Sequence, residues 1–99
     1  MKKFVEFPVS VGDKVIFVSS DDFPFEPSIS QEYVVNLGYN KYHDQFYVNI
    51  SKDLNSLHGG EVYLDEFGVD AFLVDEEDKA REVLTERLEK WKKKNKLKS

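Results

Sequence analysis

The hydrophobic pattern of this 99-residue chain changes period once, near residue 75. Upstream, apolar and polar residues alternate in short runs, the two-residue repeat of half-buried strands; downstream, apolar residues recur every three or four positions, as on a helix. In residues 4–11, Val5, Phe7, Val9 and Val11 share one face, and Pro8 removes a ladder donor, which predicts an edge strand. Gly12-Asp13 has the composition of a tight hairpin loop, and KVIFVS at 14–19 follows as a buried strand. Residues 28–37 predict a longer strand with Ile29, Gln31, Tyr33, Val35 and Leu37 on one side, interrupted by Val34. GYNKYHD at 38–44 reads as a turn, and residues 45–51 return from it with Phe46, Val48 and Ile50 inward and Tyr47 and Asn49 outward. Residues 61–64 and 70–74 predict two short strands around a turn in which Gly68 can take a positive φ. The stretches 20–27 and 52–60 carry no periodicity and read as loops.

Beyond residue 75 the chain predicts one helix. Ala80, Val83, Leu84, Leu88 and Trp91 form an apolar stripe of 3.6-residue period. Asp75 stands where an N-cap would, and Glu76, Glu77 and Asp78 put negative charge at the positive end of the helix dipole. Glu77–Arg81, Glu86–Lys90 and Glu89–Lys93 are acid-first pairs four residues apart, each worth roughly 0.2–0.5 kcal/mol. The apolar signal stops at Trp91, so residues 1–91 form one domain and 92–99 a basic, frayed tail. With no strand–helix–strand alternation, the expected fold is mainly β within an α+β class: a small antiparallel SH3-like barrel of five or six strands, closed by the C-terminal helix. A flatter, curled antiparallel sheet with the helix packed across it is the alternative.

Composition narrows the function more than the fold. The chain has no cysteine, which removes thiolate chemistry and disulfides and fits a reducing compartment. No apolar segment of signal-peptide type follows Met1-Lys2-Lys3, and no run reaches the ~18 residues a membrane span needs, so a cytoplasmic protein with no membrane partner is expected. The net charge of −5 is divided unevenly: residues 1–78 carry −11 and residues 79–99 carry +6. An acidic body is unsuited to direct nucleic-acid binding, which needs a basic footprint, and suited to steering a basic partner.

VGDKVIFV at 11–18, FYVNI at 46–50 and FGVDAFLVDEEDKAREVL at 67–84 together resemble a loose family of small phage and prophage proteins with a β-barrel followed by a C-terminal helix. The resemblance implies a phage setting, hence the cytoplasm of a host, and no particular reaction. This chain departs from that pattern in its aromatic loop near Phe23 and Phe25 and in its lysine-rich end.

Catalytic motifs are missing. No phosphate loop, HExxH, GxSxG or EF-hand pattern occurs, and His43 and His58 lie in predicted loops without ligand spacing, so no enzyme, no cofactor and no metal is expected. Three readings remain. The first is a protein-binding module that docks on, and inhibits, a host protein with a basic surface, such as nucleic-acid-handling or CRISPR-type defence machinery. Its contact residues would be Asp21, Asp22, Phe23, Phe25 and Glu26, an aromatic anchor with an acidic rim. The second is a binder that sequesters a nucleotide-like ligand, with Tyr39, Tyr42 and Tyr63 stacking on a base. The third is an assembly protein forming a homodimer through Leu88 and Trp91.

Overall fold

A computed structural model describes residues 6–20, 25–56 and 59–98, the last four through the backbone alone. Five strands form one antiparallel sheet: β1 (Lys14–Val18), β2 (Ile29–Asn40), β3 (Gln45–Ser51), β4 (Gly60–Tyr63) and β5 (Ala71–Leu73), in the order β4-β3-β2-β1-β5. One helix, α1 (Glu77–Lys98), follows.

The expected barrel does not close. Among the described residues no pairing joins β4 to β5, so these two strands are the edges of an open sheet, as in the flatter alternative. They contribute four and three residues, too few to wrap around, and the chain between them turns away instead of continuing a ladder. It forms a 3-10 turn at Leu64–Glu66 and a tight return in which Gly68 has φ 90°, as expected, with one isolated bridge between Phe67 and Ala71. Two such junctions share a design. Glu66 accepts the Tyr63 N–H at 2.7 Å, and Glu76 accepts the Leu73 N–H at 3.2 Å, so each strand end is held by a glutamate three residues on. Glu76, not Asp75, is therefore the side chain that ties the start of the helical segment; Asp75 lies inside a 3-10 turn, Val74–Glu76.

The first predicted hairpin is also replaced. β1 has both its edges occupied, by β2 and β5, and the described part of the preceding segment is not a strand. Pro8 cannot donate to a ladder, and Gly12, at φ 97°, turns the chain so that its N–H reaches the Val34 carbonyl at 2.8 Å. Phe7 and Val9 instead lie over the sheet as a lid.

The two faces of the sheet carry two cores. On the inner face Val15, Val34, Val48, Ile50, Val62 and Ala71 are buried beneath Phe7, Val9, Leu64 and Phe67. On the other face α1 sets Ala80, Val83 and Leu84 against Ile16, Val18, Phe72 and Ile29. Complete burial of side chains such as Phe72 and Ile16 contributes roughly 1.5–3 kcal/mol each. A bulge between Val34 and Asn36 reverses the alternation of β2 midway. Ile29, Gln31 and Tyr33 therefore do not share a face with Leu37, which pairs with inward-facing Val48.

Arg87 fixes where the helix lies. It stands on the apolar stripe, four residues after Val83, and its guanidinium donates to the Val18 carbonyl (2.8 Å), the Ser19 carbonyl (3.1 Å) and the Val69 carbonyl (3.3 Å) while pairing with Asp70. One side chain thus ties α1 to the end of β1 and to the turn before β5. Replacing Arg87 by Ala leaves these acceptors without it and is expected to lower stability by about 2–3 kcal/mol in urea unfolding, with Arg87→Lys recovering only part because an ammonium cannot span the fork. A loss below about 0.5 kcal/mol would contradict this role.

Candidate functional site

Because α1 packs on β1, β5 and the start of β2, it leaves the same face of the sheet free of the helix over the far half of β2 and over β3 and β4. The register places Asn36, Gly38 and Asn40 from β2, Tyr47 and Asn49 from β3, and Glu61 and Tyr63 from β4 on that face. Gly38 pairs with Tyr47, and a Cβ at Gly38 would come within 2.5 Å of the Tyr47 ring, so the glycine is what lets the ring lie flat across the strand. Tyr47 in turn meets Tyr63 edge-on, with centroids 6.0 Å apart, and His43 meets Tyr63 at 6.2 Å.

A polar chain holds these rings in place. Asn40 donates to the Tyr63 hydroxyl at 3.0 Å, and that hydroxyl donates to Glu61 at 3.3 Å. The Asn40 side-chain Oδ1 accepts the Tyr42 N–H at 2.9 Å, which shapes the turn between β2 and β3, and Asp44 closes the turn in the left-handed region at φ 50°. Deeper in, buried Asn49 accepts from Asn36 at 3.4 Å and donates to the Gly59 carbonyl at 3.2 Å. A cavity of about 320 Å³ opens at the turn end of this face, lined by Tyr39, Asn40, Lys41, Tyr42, Tyr47 and Glu61.

The residues singled out in the sequence divide among several places. Tyr39 and Tyr42 line the cavity; Tyr63 does not, and acts on it by holding Glu61. Tyr39 belongs by register to the inner face, where its ring meets Phe46 at 4.8 Å; its hydroxyl donates to Asp44, a bond that raises its pKa above the usual 10.0. Tyr42 projects from the turn with 86% of its surface exposed. Of the aromatic loop, Asp21, Asp22 and Phe23 lie outside the described residues, while Phe25, 74% exposed, and Glu26 project outward before β2. The twelve residues of β2 separate Phe25 from the cavity by roughly 35 Å, so the two candidate surfaces are distinct. Tyr47 and Glu61 were not singled out. The outward alternation of Tyr47 was legible, but its meeting with Glu61 depends on the register of β3 with β4.

Among the described residues no three His, Asp or Glu side chains gather as a metal site would require, and no helix is long and apolar enough to cross a membrane. The class the coordinates define is an α+β protein, an open five-stranded antiparallel sheet with one C-terminal helix. No protein-family model matches the chain, and no curated protein or solved structure matches it either.

One acid near the open face is electrostatically strained. Burial raises the pKa of Glu66 above its ordinary 4.5, the nearby charges of Asp70 and Asp65 add to the rise, and the bond from the Tyr63 N–H opposes it. A carboxyl whose folded pKa is raised binds its proton more tightly when folded, so its contribution to stability falls as pH rises from about 4.5 through the folded value. Glu66→Gln is therefore expected to gain stability relative to the parent on going from pH 4 to pH 7, read as the difference in urea midpoints. A difference that is constant, or that moves the other way, would contradict the assignment.

Proposed function

We propose that the protein is an acidic binding module that docks on, and by docking occludes, a basic protein surface of the kind presented by nucleic-acid-handling and host-defence proteins. The observation that carries this reading is the uncovered half-sheet. Tyr47 and Tyr63 lie there with Glu61, and Tyr42 borders them from the adjoining turn, on a body whose first 78 residues carry −11. Aromatic side chains with polar tips supply contact area at low entropic cost, and the acids favour encounter with positive surfaces. The short edge strand β4, bearing Glu61, widens the face. The phage-type resemblance of the sequence motifs agrees with such a role but rests on those motifs alone.

The geometry favours this over nucleotide sequestration. The three tyrosines of that reading lie on different faces, and the cavity, at the small end of ligand pockets, is bordered by Glu61, which would repel phosphates, with Lys41 as its one basic lining residue.

The reading predicts a specific charge dependence. Titrated against a panel of basic, neutral and acidic proteins, the chain is expected to bind the basic ones, more weakly as salt rises from about 50 to 500 mM. Glu61→Lys with Asp65→Lys, the latter at a carboxylate that accepts from outward-facing Gln45 at 3.5 Å, is expected to abolish binding, and reversal of Asp21, Asp22 and Glu26 to leave it. Binding insensitive to salt and to the first pair would overturn the proposal; loss on reversing only the loop acids would move the docking surface to that loop.

A further inference from the structure

The cavity at the end of the open face combines an aromatic and an acidic lining. Its walls include the rings of Tyr42 and Tyr47, and its border includes the Glu61 carboxylate. Among the described residues Tyr63 donates one hydrogen bond to Glu61, and a carboxylate has lone pairs for further donors. The chain already demonstrates the preference on itself: Lys41 places its ammonium 5.4 Å from the centroid of the Tyr42 ring, within the range of a cation–π contact. Lys41 lies in an exposed turn and is itself solvent-facing, so an incoming cation can displace it at little cost.

Shape selects among cations. Tyr47 is pinned by Gly38 beneath it and Tyr63 beside it, so the wall is pre-ordered and flat. A flat wall with a carboxylate at its border suits a planar, delocalised group that stacks and donates two parallel N–H bonds at once; the compact ammonium of lysine does neither. At about 320 Å³ the cavity has room for one long side chain. Charge complementarity on an acidic body completes the argument.

Resting on the docking reading above, we infer that this cavity is the receptor for an arginine side chain of the basic partner, stacked between Tyr42 and Tyr47 with its guanidinium paired to Glu61. Asn40 and Tyr63 are positioning residues, the first holding the second and the second holding the carboxylate.

The test uses the full chain and three peptides of one length, with arginine, lysine or citrulline alternating with glycine, titrated by NMR. The arginine peptide is expected to shift the resonances of Tyr42, Tyr47 and Glu61 and to bind more tightly than the lysine peptide, with citrulline weakest. Tyr42→Ala and Glu61→Gln are each expected to weaken arginine binding by about three- to tenfold, and Tyr47→Leu similarly. Tyr42 is exposed, so its variant remains informative should Tyr47→Leu perturb the sheet. Equal binding of the arginine and lysine peptides, or arginine binding unchanged in Tyr42→Ala and Glu61→Gln, would overturn the arginine receptor. If salt-dependent binding to basic proteins persists in those variants, the docking reading survives without it; if no basic protein binds any form, both fall.

Discussion

The Arg87 fork decides which part of this sheet is protein interior and which part is surface. By gathering three backbone carbonyls and the Asp70 carboxylate, it fixes α1 over β1, β5 and the first residues of β2. A helix of 22 residues is about 33 Å long, so it could in principle lie in several directions across so small a sheet. The apolar stripe alone would leave that choice open, because hydrophobic burial is not directional. A forked, half-buried cation with four named acceptors is directional. With the helix pinned at one end of the sheet, the amide- and tyrosine-lined half at the other end is not covered by it.

That uncovered half is maintained from below by the second core. The inner face of β3 and β4 is sealed by Val48, Ile50 and Val62 under the N-terminal lid and Leu64, so these strands do not need the helix for their stability. Their other face can therefore carry Tyr47, Tyr63 and Glu61 without burying them completely, while Asn49, which is buried, is satisfied by Asn36 and the Gly59 carbonyl. The strand ends are fixed by Glu66 and Glu76, two carboxylates that each capture a backbone N–H three residues upstream. Placing acids in these junctions also keeps the body negative, which links the way the fold is closed to the charge that its docking face exploits.

Much of this was legible in the residues. The period change near 75 located the helix, β3 was delimited to the residue, Gly68 was recognised as a positive-φ position, and the outward orientation of Tyr47 and Asn49 followed from alternation. What escaped has physical reasons. Pro8 and Gly12 leave the first apolar run with the pattern of a strand but without the means to pair, so Phe7 and Val9 became a lid. The bulge near Val34 switched faces within β2, a one-residue event that averages out of any periodicity. Arg87 reads as an ordinary surface charge until its acceptors, 17 to 69 residues away, are in place. The candidate cavity is likewise a product of register: Gly38, Tyr47 and Glu61 come from three strands, and no local motif joins them.

The central claim is that the face left open by the helix is the one that meets a partner. A chemical-shift map of the full chain, recorded on adding a basic protein that binds it, tests this most directly. The account predicts shifts concentrated at Gly38, Tyr42, Tyr47, Glu61 and Tyr63, with Ile16, Phe72 and Ala80 beneath the helix unmoved. Shifts confined to Phe25 and Glu26, or to the exposed side of α1, would contradict it.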